Sequence, residues 1–198
     1  PAELDLDKLT SAINQTNAMI LALRGTSKDL TEELGRKLEV KEENVASDGS
    51  SAILSKYSIE KSEGARLALI QYGEIGKFGV VNMELREPAG GADSSDLQDT
   101  VDLAREEFGK TPHAIFVLAS GEGPEAPSGY LDAFKVMAKR DEADTEKRPA
   151  TDWRVFIPEA IEGNLEECYV PADNEKIKEF SDRLPVVTRF VFRKKDFH

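Results

Sequence analysis

Cysteine is almost absent from this chain of 198 residues. Cys168 stands alone, which excludes an intrachain disulfide and a cysteine-based zinc site and leaves the redox compartment open. Histidine is nearly as scarce, with only His113 and His198, so a His-rich metal centre or a histidine-based triad is poorly supplied. His113 opens an apolar strand, a structural position, and His198 is the last residue. No apolar run reaches the roughly 18 residues needed to cross a bilayer, and the opening PAELDLDKLT lacks the charged and apolar regions of a signal peptide. Starting at Pro1 without methionine, the sequence reads as processed or as cut from something longer. Positive charge is also in deficit. Lys plus Arg number 26 against 38 for Asp plus Glu, giving a net charge of -12 and a pI near 4.8. That balance predicts that neither nucleic acid nor an anionic membrane is the main partner, because both reward Lys and Arg that neutralise phosphate. The one local exception, Arg189, Arg193, Lys194 and Lys195, lies on or just after a strand and reads as a solvated edge.

What is present suffices for one core. A hydrophobic content of 39% over this length predicts a single domain, residues 17–198, preceded by an extension, 1–16, that carries a short amphipathic helix. Ala18 to Leu23 is a continuous apolar run suited to a buried strand. The helix DLTEELGRKLEV follows, with Leu30, Leu34 and Leu38 on one face and Thr26 or Ser27 placed to cap it. Residues 41–64 are the least legible part, a loop with either a short strand or the end of a helix. Asp48-Gly49-Ser50-Ser51 within it reads as a polar turn.

Further on, Ala65 to Tyr72 and Phe78 to Leu85 read as strands folded back on each other across Gly73 and Gly76. A Gly-rich loop, 88–95, leads to the helix LQDTVDLAREEFG with Leu97, Val101, Ala104 and Phe108 inward and Gly109 ending it. The strand HAIFVLAS, the turn Gly121-Glu122-Gly123 and the helix YLDAFKVMAKR come next, with Tyr130, Phe134, Met137 and Ala138 as core. WRVFIPE is a strand, 174–184 a helix with Ile177, Phe180 and Leu184 inward, and VVTRFVF a closing strand. Alternating strands and helices with one early hairpin predict an α/β fold: a doubly wound, mostly parallel central sheet with one antiparallel edge strand and helices on both faces. Ligands of such sheets sit where strand ends meet the loops, which nominates 24–28, 90–94 and 120–123.

The order RLALIQYG (66–73), GGADS (90–94), FVLASGE (116–122) and WRVFIPEAIEGN resembles the von Willebrand factor A-type domain over roughly residues 17–193. That resemblance implies a protein-binding, adhesion-type module whose loops hold Mg²⁺ in a metal-ion-dependent adhesion site. Matched loop by loop, Arg24 stands at the first Asp, Thr26 and Lys28 at the two Ser, Ala92 at the Thr and Ser120 at the last Asp. Hard cations need oxygen ligands, and Arg24 and Lys28 would oppose one, so the resemblance implies a degenerate site with no metal and no cofactor. Asp93 and Glu122 are the acids that a displaced ion would need. Arg24 itself, paired with Asp93 or Glu122, is the alternative occupant of the metal's place.

The leading expectation is therefore a noncatalytic, metal-independent protein-interaction domain, not an enzyme, with Arg24, Thr26, Lys28, Asp93, Ser120 and Glu122 as partner-binding residues. The resemblance implies collagen-like or other matrix proteins as partners and an extracellular setting. One competing expectation is a nucleotide- or phosphate-utilising enzyme with Gly121-Glu122-Gly123 as phosphate turn or with Glu122 and Asp93 as catalytic carboxylates. A bare Gly-x-Gly carries little weight, and no P-loop Lys follows it. The other is a structural module that self-associates.

Overall fold

The computed structural model describes residues 5–74, 76–84, 94–110, 112–120, 125–141, 151, 153–171 and 185–193. The first helix is α1 (Leu6–Gln15), capped by Asp5, whose carboxylate accepts from the Lys8 N–H at 3.1 Å. The first apolar run becomes β1 (Ile20–Arg24), and the helix after it is α2 (Lys28–Lys37), capped by the Ser27 hydroxyl. A short 3-10 turn, Glu42–Asn44, leads to β2 (Val45–Ser47), β3 (Ser51–Ser55) and β4 (Ser58–Glu63). Then follow β5 (Leu67–Tyr72), β6 (Gly76–Glu84), α3 (Ser94–Phe108), β7 (Ala114–Ser120), β8 (Tyr130–Asp132) and α4 (Ala133–Arg140). β9 (Trp153–Pro158), a 3-10 segment Glu159–Asn164, β10 (Leu165–Tyr169) and β11 (Val187–Phe190) complete the described chain.

These elements do not make a doubly wound parallel sheet. The large sheet has the order β4-β5-β6-β7-β9-β8, and only β6 and β7, joined through α3, run parallel. The pairs β4–β5, β5–β6, β7–β9 and β8–β9 are all antiparallel. The expectation of a mostly parallel sheet with helices on both faces is thus corrected. It treated each strand followed by a helix as half of a parallel crossover, yet α2 leads into an antiparallel hairpin, β2–β3, that joins β1 in a separate three-stranded sheet of order β1-β3-β2. Residues 41–64, read as mainly loop, supply three strands. Tyr130 belongs to β8, because Asp132 caps α4 by accepting from the Phe134 and Lys135 N–H groups and so sets the helix start at Ala133. The helix expected at 174–184 lies outside the described residues.

Packing follows from side-chain parity, since alternate residues of a strand face opposite ways. On one face of the large sheet, Leu67, Leu69, Val81, Met83, Ile115, Val117 and Phe156 meet Leu97, Val101, Ala104 and Phe108 of α3. On the other, Ala68, Ile70 and Val80 meet Ala46 and Ile53 of the small sheet. Beside them Phe78, Phe116, Val155 and Ile157 meet Leu165, Phe190 and Phe192 of a two-stranded unit, β10–β11. The far side of the small sheet is covered by α2, where Gly35 lies against Leu54 and Val45, and α1 packs on α2 through the Lys37–Asp7 ion pair at 2.5 Å. The layers are helix, sheet, sheet, helix, and a second sheet takes the face that a doubly wound fold covers with helices.

The β2–β3 turn is held by the side chains of Ser47, which bonds Ser51 O and the Gly49 N–H, and of Asp48. The Asp48 carboxylate accepts from the Ser50 N–H at 2.9 Å, the Ser50 hydroxyl at 3.0 Å and the Ser51 N–H at 2.8 Å, as short Asx side chains do in turns. The Ser50 backbone bond, then the remaining bonds and the charge of Arg24, hold its carboxyl below the usual value against a desolvation that raises it. A depressed folded-state value means stabilisation that is present above the unfolded-state pKa of about 3.9 and is lost as the pH falls through the lower folded value. Asp48→Asn should lower stability at neutral pH by about 1 kcal/mol and flatten the acid side of the melting-temperature profile, as read by thermal unfolding between pH 2 and 7. A variant profile parallel to wild type would remove Asp48 from the account.

Candidate functional site

The parallel arrangement of β6 and β7 brings their carboxyl ends, Glu84 and Ser120, into register at one edge of the large sheet. β1 of the facing sheet ends at the same edge, where the Arg24 guanidinium lies 3.9 Å from the Glu84 carboxylate. That separation exceeds the about 2.7–2.9 Å of a tight charged hydrogen bond, so the two are an ion pair without a short fork. The Arg24 side chain is only 17% exposed and that of Glu84 45%. Arg24 also lowers the Asp48 carboxyl, which places the β2–β3 turn beside the same rim.

Two uncharged groups sit beneath the ion pair on the face shared by the two sheets. Asn82 is 1% exposed, and its amide donates at 3.4 Å to the backbone oxygens of Leu23 and Ala52, spanning from β6 to β1 and β3. Its Oδ1, and the Oγ of the fully buried Ser120, have no hydrogen-bond partner among the described residues. A buried polar atom without a partner is uncommon and calls for a specific explanation. Trp153 pairs with Ser120 across β7–β9, so register puts its half-buried indole on the same face. On the opposite face, Arg154 lies 3.6 Å from Asp132, the cap of α4, and this buried pair is structural.

Of the residues nominated from sequence, Arg24 and Ser120 come to this rim, linked through Glu84. Thr26 is buried and bonds Thr31 at 3.0 Å, which fastens the β1–α2 corner. Lys28 is exposed on the first turn of α2 and pairs with Glu32 at 3.6 Å. Asp93 and Glu122, the carboxylates considered as partners for Arg24, lie outside the described residues, as does the Gly121-Glu122-Gly123 turn. The partner seen is Glu84, which sequence reading missed, together with Asn82 and Trp153. Glu84 carries no local signal, because it reads as the charged end of an apolar strand. Burial, assisted by Asp132, pushes the Cys168 thiol well above its ordinary range and so disfavours the reactive thiolate. Among the described residues no group of three or more His, Cys, Asp or Glu converges. At the rim a carboxylate stands next to a guanidinium, a donor set that does not suit a divalent cation.

With this geometry the chain can be placed among known folds. A solved endonuclease/exonuclease/phosphatase from Bacteroides vulgatus superposes with a TM-score of 0.65 over 95% of this chain and 90% of that one, at 12% sequence identity. The fold is that of the endonuclease/exonuclease/phosphatase proteins. An AP endonuclease from Archaeoglobus fulgidus matches with a TM-score of 0.62, 11% identity and 94% of each chain. A 3' phosphatase, NExo, from Neisseria, bound to product DNA hairpin, matches with a TM-score of 0.58 at 12% identity over 94% of this chain and 95% of that one. No protein-family model and no curated protein sequence matches the chain.

The endonuclease/exonuclease/phosphatase fold corrects several expectations together. The likeness to the von Willebrand A-type domain is overturned. The degenerate adhesion site, the matrix partners and the noncatalytic reading rested on that likeness and fall with it. The expectation that the chain is no enzyme is corrected too, because the structures sharing its fold are described as nucleases and phosphatases. So is the exclusion of nucleic acid, since one of them holds a DNA product. That exclusion rested on net charge, which describes the whole surface and not a few groups at one rim.

Proposed function

We propose that this chain is a phosphoester-cleaving enzyme that works at the rim where β1, β6 and β7 end, with nucleic acid as its substrate class. The observation that carries the reading is the Arg24–Glu84 pair standing over a buried amide and a buried hydroxyl. Arg24 is permanently charged, and its planar donors suit the oxygens of a phosphoryl group. The N-terminus of α2 follows β1 directly and adds its positive dipole end to the same edge. Glu84 is the exposed acceptor within reach of a water that Arg24's substrate would meet. In the step proposed, water attacks phosphorus, its proton passes to Glu84, the ester P–O bond breaks, the leaving oxygen departs as the alcohol with a proton from solvent, and Arg24 holds the charge gathering on the phosphoryl oxygens. Trp153, beside Ser120 in register, offers a ring against which a base can stack. The reading takes residues 17–198 as the working domain and 1–16 as its extension.

No step is routed through a cation, for the donor set described does not fit one. With a net charge of -12, affinity for a polyanion rests on few contacts. Each neutralised phosphate adds about -0.9 to the logarithmic salt slope for duplex DNA, so a slope between about -1 and -2 is expected. The test is a panel of single-stranded, hairpin and 3'-phosphorylated oligonucleotides, followed by phosphate release and gel mobility over a pH series for wild type and Glu84→Gln. Turnover that falls by about 10²-fold or more in Glu84→Gln is expected. Equal turnover in the variant would remove Glu84 as the base, and no cleavage of any ester would sink the proposal.

A further inference from the structure

The turn between β4 and β5 also reaches the rim of the candidate site. β5 runs antiparallel to β6 with Leu67 opposite Val81, so residues 63–66 lie at the same sheet edge as Glu84. The turn lies against that between β2 and β3, where a Cβ on Gly64 would stand 3.6 Å from the Asp48 Cβ. Gly64 takes a φ of +52°, a conformation that glycine adopts freely, and the chain then delivers Arg66 to the edge. The Arg66 backbone is fastened on both sides, its N–H donating to Glu63 O at 3.1 Å and its C=O accepting from the Asn82 N–H at 2.8 Å. Its side chain is fastened too. The guanidinium donates at 2.6 Å to the hydroxyl of Thr100, a fully buried residue of α3 that itself donates to Asp96 O at 2.8 Å. Arg66 is nonetheless exposed. The Thr100 bond engages one of the five N–H donors of a guanidinium, and no carboxylate among the described residues forms an ion pair with it. An arginine held at three points, exposed and without a counter-charge in a chain of net charge -12, is prepared for an outside anion.

We propose that Arg66 grips a phosphodiester of the substrate strand beside the ester held at Arg24, so that the site favours a polynucleotide over a mononucleotide; this rests on the nucleic-acid reading above. The planar guanidinium presents paired N–H groups to phosphate oxygens. Its place fits that role. Arg24 meets Glu84 on the face toward the small sheet, whereas Arg66 reaches α3 on the opposite face, so the two arginines flank the end of β6. Asn82, bonded to Arg66 through the backbone, is two residues from Glu84, about 7 Å at the rise of a strand. Thr100 is a positioning residue. It aims the guanidinium and reduces the side-chain freedom lost on binding. One phosphate at each arginine gives a salt slope toward the steep end of about -1 to -2.

Fluorescence anisotropy of a labelled single-stranded oligonucleotide, titrated with the full chain from about 20 to about 200 mM salt, tests this without needing turnover. Arg66→Ala, and Arg66→Gln as a variant that keeps a donor for Thr100, should each weaken binding at least about tenfold at low salt. Both should flatten the logarithmic salt slope by about 0.7, the loss of one phosphate contact on a single strand. Thr100→Val keeps the buried shape and the charge of Arg66, so it should weaken binding about threefold and leave the slope as it is. Thr100→Ser retains the hydroxyl and should keep wild-type affinity, which a purely steric role for Thr100 does not require. Unchanged affinity and slope in both Arg66 variants, or no salt-dependent binding by wild type, would overturn the proposal. Cleavage by wild type with unchanged binding in the Arg66 variants would remove this subsite and keep the activity. Binding that follows Arg66 without any cleavage would keep the subsite and sink the activity.

Discussion

Arg24→Ala should lower kcat/KM for phosphoester cleavage by about 10²- to 10³-fold, the loss that follows removal of one preorganised group from developing negative charge. The fall should lie mainly in kcat, because the phosphoryl oxygens gain charge on the way to the transition state. Arg24→Lys should recover little of it, since a lysine ammonium is a point charge on a flexible stem whereas the guanidinium is planar and held between two sheet ends. The fold should persist. Glu84 is nearly half exposed, so water can solvate it once its partner is gone, and exposed pairs contribute only about 0–1 kcal/mol. A melting temperature within a few degrees of wild type together with lost turnover would assign Arg24 to the chemistry. Full activity in Arg24→Ala would remove it.

Gly79→Val should be the most destabilising single change at the layer between α3 and the large sheet. Gly79 lies in β6 on the α3 face, and a Cβ there would stand 2.9 Å from Ile115 Cγ1 and 3.0 and 3.1 Å from the Phe108 ring. Real Cβ atoms do not sit so close, and both neighbours are buried, Ile115 to 6% and Phe108 to 5%. Overpacking of this kind costs about 1–3 kcal/mol, with Gly79→Ala at the low end and Gly79→Val at or beyond the high end. For a chain of this size that is roughly 2–12 °C in melting temperature. The cause is steric, so it is reversible by trimming: Gly79→Ala with Phe108→Leu should lose less than the two single changes summed, as a double-mutant cycle reads. Simple additivity would mean that the contact does not govern the position.

Most elements were legible because their periodicities are strong. Leu97, Val101, Ala104 and Phe108 recur at helical spacing and do face the sheet, and AIFVLAS is a buried strand. Strand pairing was not legible, because periodicity says which face a residue takes and nothing about its neighbour. The segment 41–64 shows the limit plainly. β3 is buried throughout, yet two of its five residues are serines, Ser51 and Ser55, and their hydroxyls hide a core strand from a hydrophobic pattern. Missing that hairpin made α2 look like a crossover helix, and the parallel sheet followed. At the site, Arg24 stood out as a charge at a strand end. Its partner did not, since Glu84 meets it only through the packing of one sheet on another, and Asn82 looked like a polar interruption in β6 when it bridges the two sheets.

Phosphate release from a hairpin oligonucleotide carrying one 3'-phosphate, measured on purified wild-type chain and on Arg24→Ala prepared identically, bears most directly on the central claim. The account requires a rate that copurifies with the wild-type chain and falls at least a hundredfold in Arg24→Ala. Equal rates in the two proteins, or none in wild type across the oligonucleotide panel, would contradict a phosphoester-cleaving site at this rim.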